Sequence, residues 1–355
     1  MRPLRQFGLA ILLLGGSIVA FGQPAGTAKP VGGAVLVKPS DFKTDDVPVD
    51  FMVLFGCTGL QSTQPGEPRL RFNKAQLSQS FRDLKQLGVP LKGIVSLGGA
   101  VQVPHQGGGS ALRESLDSLT QFVRSNTQSN LLMVAGSEIE LSVGKRDSAL
   151  TDAWTNWVTQ NSNLPIPARQ SGLNAVYDRG KDVWIVLDTL DPKSIDVDWL
   201  KNELKRAQDD TLVQRLFVFG ARPLTSESAP LPSTDRVAQA VLALEQSDKV
   251  VAYFCGSPSL VRVAPVKPGS RLMQVVVGNS GSELDSKWKE TGAAKFGFSL
   301  VVTFASGEVA LVPFGRKLPP EGQPIDATGP EALQAARSEG IIHLWSKKGP
   351  PIKKV

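Results

Sequence analysis

The sequence predicts an α/β protein with a parallel sheet and covering helices. Apolar runs typical of buried strands alternate with amphipathic helical segments between residues 49 and 136. Several of these strands end in glycine or another small residue. A strand–helix–strand–helix–strand order of this kind is typical of parallel strands joined by crossover helices.

The first half of the chain supplies three predicted strands and two predicted helices. The strands lie in "DFMVLFG", "LKGIVSLGG" and "NLLMVAGS". The first helix ends at Gly88, a residue that commonly terminates helices. The helices place apolar residues on one face at helical spacing, namely Leu77, Phe81, Leu84 and Leu87 in the first and Leu112, Leu116, Leu119 and Val123 in the second.

The second half is richer in strands. "AVYDRGKDVWIVLDT" predicts two strands around a turn at Arg179–Lys181, and "DVDWLKNELKRAQ" predicts a helix. Three more strands lie in "LVQRLFVFGARP", "DKVVAYFCGSPS" and "LMQVVVGNSGS". "FGFSLVVTFASGEVALVPFG" predicts a hairpin that turns at Ser306 and Gly307. Beyond it we expect a Pro-rich linker, a short helix in "PEALQAARSEG" and an apolar piece, "IIHLW".

The N-terminus has the pattern of a secretory signal peptide. Arg2 and Arg5 precede the apolar run "LAILLLGGSIVAF", and Ala20 and Gly22 occupy the small-residue positions before Gln23. We therefore expect a signal peptide over 1–22, a flexible lead over 23–46 and an exported, periplasmic or secreted protein. The run is short and interrupted by glycine, so no stable membrane span is expected after cleavage. An uncleaved N-terminal anchor is the alternative.

Composition excludes some classes of function. The chain has 355 residues, of which 41% are hydrophobic and 20% charged, as in soluble globular proteins. The net charge is +6, but the basic residues form no stripe with interleaved aromatics, so nucleic-acid binding is not expected. The two histidines, His105 and His343, make a histidine-rich metal centre implausible.

Five strand ends carry a resemblance to a known family. In order and surroundings they resemble the calcineurin-like metallophosphoesterases, and the purple acid phosphatases in particular, over residues 48 to 315. This resemblance implies a four-layer α/β/β/α sandwich as one domain, 47–315, followed by a tail, 316–355. The strand ends are Gly56-Cys57, Gly98-Gly99, Gly136-Ser137-Glu138, Gly220-Ala221 and Gly256-Ser257-Pro258-Ser259.

The family holds two divalent metals with Asp, Asn and His side chains on these loops, and this chain departs from that pattern at nearly every ligand. Its glycines remain, so the turn geometry is kept while the metal-binding groups are replaced. We call the replaced residues the former metal-site positions: Cys57, Gly99, Ser137, Glu138, Ala221, Ser257 and Ser259.

These replacements predict a pseudoenzyme that needs no cofactor and serves as a binding or scaffolding module. The alternative is an active phosphoester hydrolase with two divalent metals at a rebuilt site, for which Cys57, Glu138, Glu140 and Glu227 are the candidate ligands. Glu138 and Glu140 alternate along an extended segment, so we expect both to face water. The sequence names no ligand and no partner.

Two further hypotheses concern cysteine and tryptophan. In the resembling fold the first and last loops reach the same metal, which implies that Cys57 and Cys255 are neighbours and form either a disulfide or two buried thiols. A carbohydrate or peptide binder is a third functional class. It would use tryptophans, with Trp154 and Trp157 as a lid, while Trp184 and Trp199 have structural patterns.

Overall fold

The fold of the chain comes from a computed structural model. It describes residues 46–56, 58, 68–101, 108–142, 145–225, 234–256, 261–278, 280–281, 295–317, 334–335 and 341–346. The helices in these ranges are α1 Pro68–Leu87, α2 Gly108–Asn126, α3 Ser148–Gln160, α4 Val197–Asp209 and α5 Asp235–Gln246.

Two large sheets account for most of the strands. In chain order the strands are β1 Pro48–Phe55, β2 Leu91–Leu97, β3 Leu131–Val134, β4 Glu140–Ser142, β5 Lys145–Arg146, β6 Arg169–Ser171, β7 Asn174–Arg179, β8 Asp182–Val186, β9 Arg215–Gly220, β10 Val250–Gly256, β11 Val261–Pro265, β12 Met273–Val277, β13 Lys295–Phe304, β14 Val309–Lys317, β15 Gln334–Ala335 and β16 Ile342–Trp345.

Each large sheet is mixed, with a parallel centre and antiparallel margins. The first has the order β15-β14-β13-β1-β2-β3, and β16 also pairs with β14. In it β1, β2 and β3 are parallel, and β13 runs antiparallel to β1. The second has the order β11-β12-β10-β9-β8-β7-β6, with β8, β9, β10 and β12 parallel. The predicted parallel arrangement is therefore confirmed for the centres of both sheets.

The sheets stack face to face and helices cover their outer faces. Phe217, Phe219 and Phe254 of the second sheet share a hydrophobic cluster with the first sheet and with α1, α2 and α3. A separate cluster joins the opposite face of the second sheet to α4 and α5, through residues such as Val218 and Leu244. This arrangement is the four-layer α/β/β/α sandwich.

An ion pair links the two sheets. Lys92 of β2 reaches Asp182 of β8 at 2.7 Å, which links the two sheets at the amino ends of their strands. Arg215 of β9 donates to the same carboxylate at 2.7 Å. Because Asp182 is buried, its charge depends on both cations for compensation.

The C-terminal tail contributes to the first sheet, which corrects the expectation of a helix at Gln334 and Ala335; the expected linker lies outside the described residues. Gln334 and Ala335, inside the predicted short helix, pair with β14 instead. β16 extends the same edge, and its Leu344 is buried. A free strand edge offers unpaired backbone groups, and pairing with the tail satisfies them.

The sequence patterns did not predict helix α5. None of the helices described is long and apolar enough to cross a membrane.

Candidate functional site

The carboxyl ends of the two sheets meet through closely packed backbones. A Cβ added to Gly56, after β1, would lie 1.7 Å from the Val277 carbonyl oxygen at the end of β12. One added to Gly256 would lie 2.1 Å from the Leu97 carbonyl oxygen at the end of β2. Only glycine allows this approach, so these glycines hold the two sheet ends together.

The second and third loops are packed in the same way. Gly98 and Gly99 have φ values of 79° and 57°, and a Cβ on Gly136 would lie 2.2 Å from the Gly99 nitrogen. Ala221 lies against Gly98. Of the former metal-site positions in this cluster, Gly99 and Ala221 carry no side-chain atom that could bind a metal.

Glu138 is the buried carboxylate of the site. Its Oε1 accepts a hydrogen bond from the Gly136 N–H at 2.9 Å, while Oε2 is buried and has no hydrogen-bond partner. Burial raises the pKa of Glu138 from its ordinary 4.5 to about 7, and the backbone amides of Glu138 itself, Gly136, Gly99 and Ala100 oppose that rise. Near neutral pH this side chain therefore carries only a partial negative charge.

The expectation that Glu138 and Glu140 both face water is wrong. A 3₁₀ turn over Ser137–Ile139 leaves Ser137 exposed and directs Glu138 inward. The Glu140 side chain is only 3% exposed, and it accepts from Arg222 Nη2 at 2.8 and 2.6 Å. An ion pair thus occupies Glu140, and the turn breaks the alternation that an extended segment would give.

Hydrogen bonds fix the loop that carries Ala221. The hydroxyl of Thr189 accepts from the backbone N–H groups of Ala221 and Arg222, at 2.9 and 3.1 Å. Tyr253 donates its phenolic proton to the Arg222 carbonyl at 2.6 Å. Thr189 and Tyr253 are fully buried, and burial raises the pKa of Tyr253 well above its ordinary value. The network holds the loop in place without a metal ligand.

The remaining predicted site residues fall outside the described part of the chain. They are Cys57, Ser257 and Ser259, together with Glu227 and His105. Cys255 is described, and its Sγ lies 3.6 Å from the Val275 carbonyl oxygen, in the cluster under α4 and α5. The Cys57–Cys255 disulfide stays a prediction. His343 lies exposed on β16, in the tail.

The described residues do not fit a two-metal centre. Such a centre needs several carboxylate and imidazole ligands, one of them bridging. Here Gly99 and Ala221 offer no donor, Ser137 points outward and Glu138 is a single carboxylate. Within the described ranges no group of three or more His, Cys, Asp or Glu residues lies together to hold a metal ion.

The prediction that Trp154 and Trp157 form a lid is also wrong. Trp154 and Trp157 of α3 are 3% and 6% exposed and pack into the larger core cluster. Trp157 additionally donates its ring N–H to Asp117 at 2.7 Å. Trp184 is buried as expected, and Trp199 is partly buried against the smaller cluster. These side chains are therefore structural.

Sequence reasoning missed Thr189 and Arg222 as parts of the site. Their positions carried a signal: Asp188-Thr189 directly follows the β8 run, and Arg222 directly follows a mapped strand end. Residues just beyond the carboxyl ends of parallel strands commonly line sites in α/β proteins. Sequence patterns pointed to Ala221 because the resemblance places a histidine there. The structure shows that the neighbouring residues Thr189 and Arg222 make the contacts of this loop.

Comparison with known proteins supports the fold. No family model and no curated protein matches the sequence. A dimetal phosphatase from Danio rerio superposes with a TM-score of 0.51 and 10% identity, over 75% of this chain and 96% of that chain. A purple acid phosphatase from yellow lupin (Lupinus luteus) seeds gives 0.52 and 15%, over 76% and 51%.

A third similar structure is GAP50, the anchor in the inner membrane complex of Plasmodium. It superposes with a TM-score of 0.51 and 14% identity, over 84% of this chain and 90% of that chain. At such low identities the likeness is one of fold, and the side chains at the strand ends must be judged from this chain alone.

Proposed function

Because the chain has the fold of the calcineurin-like metallophosphoesterases, we propose that it is a binding or scaffolding protein that does not hydrolyse phosphate esters. One observation carries the proposal. At Gly99 and Ala221, where the resemblance places the bridging Asp and a histidine, the structure has packed backbone and a methyl group.

The chemistry of the family explains why these two positions matter. A pair of divalent cations polarises the phosphoryl group and lowers the pKa of a bound water, and the bridging carboxylate holds the pair together. Glycine cannot replace that carboxylate. Glu138 is one acidic group, and its Oε1 already accepts from the Gly136 N–H. A single carboxylate is too small a ligand set for two hard cations.

The ion pair between Glu140 and Arg222 supports the same proposal. Arg222 compensates the negative charge of Glu140, which is the second carboxylate of this region. Arg222 Nη2 contacts both carboxylate oxygens in a nearly buried ion pair, so Glu140 would have to give up this partner before it could bind a metal.

Two further points favour a scaffolding role outside the cytoplasm. GAP50, which has a similar fold, is described as an anchor. The N-terminal pattern of Arg2, Arg5 and the apolar run favours export, although it lies outside the described residues.

Expression in a bacterium followed by N-terminal sequencing tests export. We expect a chain that begins near Gln23, and an intact Met1 on a cytoplasmic protein would refute it.

Turnover tests the proposed lack of hydrolysis. The purified chain is assayed with p-nitrophenyl phosphate and bis(p-nitrophenyl) phosphate, with chelator and after addition of Mn²⁺, Fe²⁺ or Zn²⁺. The Danio rerio dimetal phosphatase serves as the positive control. We expect no turnover above buffer in any condition. Metal-dependent turnover, lost with chelator and regained with metal, would favour the rebuilt hydrolase.

A further inference from the structure

An open cleft of about 600 Å³ lies at the carboxyl end of β8. It is formed where the carboxyl end of β8 meets α3, the turn between β6 and β7, and the start of α5. Asp188 forms part of its wall and is followed directly by Thr189, which holds the Ala221 loop. The volume is within the range of pockets that bind small molecules.

A fixed arginine organises one wall of the cleft. Arg146 donates through Nη2 to Asp188 and, at 2.7 Å, to the Ser194 hydroxyl. The Asp188 carboxylate is 5% exposed and also accepts from the Leu190 N–H at 3.4 Å. Because its partners are set in the protein, the guanidinium is oriented before any ligand arrives.

Two other cations line the cleft. Lys193 and Arg236 line it, and no carboxylate of the described residues pairs with either. Arg236 Nη1 donates to the carbonyl oxygens of Lys193 and Ile195, both at 3.3 Å, which leaves its other donors available. The lining carboxylates, Asp188 and Asp196, are outnumbered three to two by the lining cations.

The second carboxylate, Asp196, is occupied by the protein itself. Its Oδ1 caps α4 by accepting from the Trp199 N–H at 3.0 Å, and its Oδ2 accepts from the Ser171 hydroxyl at 3.1 Å. An incoming anion therefore meets a carboxylate whose charge is spread over two donors, beside two cations that pair with no carboxylate of the described residues.

Hydroxyl groups complete the lining. Ser194 accepts from Arg146 and keeps its own proton to donate. Thr151 donates to the Asp147 carbonyl at 2.7 Å and keeps its oxygen lone pairs to accept. Thr155 and Ser171 line the same cleft. Mixed donors and acceptors of this kind match the hydroxyl groups of a sugar, whereas an apolar ligand would leave them unpaired.

We propose that this cleft binds a small hydroxylated anion, namely a sugar that carries a phosphate or carboxylate group. The inference rests on the proposed binding role and gives it a place and a ligand class. The cations would pair with the anionic group, and the hydroxyl groups of Thr151, Ser171 and Ser194 would bond the sugar.

Calorimetric titration of the full chain with four probes tests the proposal. Glucose 6-phosphate and glucuronate carry the two kinds of anionic group, glucose lacks the charge and inorganic phosphate lacks the sugar. We expect at least one of the two anionic sugars to bind more tightly than glucose and inorganic phosphate, and the tighter one identifies the anion.

Variants locate the site. Lys193→Gln and Arg236→Gln should each weaken binding of the anionic sugar by about tenfold, the value of one charge-assisted hydrogen bond. Lys205→Gln and Arg206→Gln are the matched controls, because they remove the same charges from exposed positions on α4 outside the cleft. The controls should bind as the unmodified chain does.

Several results would overturn the proposal. These are no binding of any probe at millimolar concentration, equal binding of glucose, equal binding of inorganic phosphate, or equal losses in the cleft and control variants. None of these results bears on metal content or ester hydrolysis, so a failed ligand proposal is distinguishable from a failed assignment as a non-hydrolase.

Discussion

At the scale of single residues, Glu138 stands where the resemblance places a histidine. A histidine there would bind a metal through a ring nitrogen, whereas Glu138 turns inward and accepts from the Gly136 N–H. Its second oxygen, Oε2, is buried without a hydrogen bond. An unsatisfied buried oxygen costs stability, and it costs most when the carboxylate is charged.

The raised pKa of Glu138 predicts a specific pH dependence of stability. Between its ordinary 4.5 and about 7, the unfolded chain has lost the proton that the folded chain still holds, so stability falls as pH rises through this window. The loss is at most about 3 kcal/mol. Urea unfolding of the wild type and Glu138→Gln at pH 4 and pH 8 measures it. Glu138→Gln should lose less unfolding free energy between pH 4 and pH 8 than the wild type does. Equal losses in the two proteins would contradict the prediction.

Gly136 predicts a steric effect. In Gly136→Ala the added Cβ would meet the Gly99 nitrogen at 2.2 Å, and because that neighbour is backbone, the loops after β2 and β3 must move apart. We expect a loss of about 3 kcal/mol in unfolding free energy, at the upper end for overpacking. Gly180→Ala is the control: its φ is 73° and nothing lies within 4 Å of the added Cβ, so only about 1 kcal/mol of backbone strain is expected. Equal losses would show that the glycine packing is unimportant.

At the scale of elements, a buried ion pair joins α1 to β14. Arg316 donates through Nε to Asp83 at 2.6 Å, and the side chains are 1% and 2% exposed. Gln79 donates to the same carboxylate at 2.9 Å. The pair connects a helix near the start of the described chain to a strand near its end.

The ion pair predicts unequal costs for single and double substitutions. Arg316→Met leaves the Asp83 carboxylate buried without its cation and should cost about 3–5 kcal/mol in unfolding free energy. Adding Asp83→Leu removes the buried charge, so the double variant should be more stable than the single variant. Urea unfolding compares the wild type, Arg316→Met, Asp83→Leu and the double variant. A double variant as unstable as the sum of both single substitutions would contradict this reasoning.

The helices and strands also show how much of the secondary structure the sequence patterns predict. The apolar faces of α1 and α2 were predicted correctly, because exposed and buried sides of a surface helix differ strongly in composition. Helix α5 was missed, although Thr234 caps it and Val237, Val241 and Leu244 have helical spacing. The helix predicted around Gln334 contains a strand, because pairing with β14 outweighs local propensity.

The candidate site was less predictable than the fold. Mapping the strand ends found which ligands are replaced, but it could not show that a 3₁₀ turn buries Glu138. Neither the Glu140–Arg222 ion pair nor the cleft beside Arg146 follows from spacing along the chain. Both depend on contacts between residues far apart in sequence, which only the assembled sheets bring together.

At the scale of the whole molecule, the chain keeps the sandwich, and two of the described former metal-site positions, Gly99 and Ala221, carry no metal-binding group. Backbone packing of the glycines holds the sheet ends, and the Thr189 and Tyr253 hydrogen bonds hold the Ala221 loop. We therefore expect the fold to be stable without added metal.

Metal content tests the central claim most directly. The purified chain is incubated with Mn²⁺, Fe²⁺ and Zn²⁺, dialysed, and measured by inductively coupled plasma mass spectrometry against a chelator-treated sample. Our account predicts well below one metal ion per chain, the same as after chelation, because Gly99 and Ala221 carry no ligand atoms. Close to two ions per chain, removed by chelator and regained on reloading, would contradict it and establish a rebuilt metal centre.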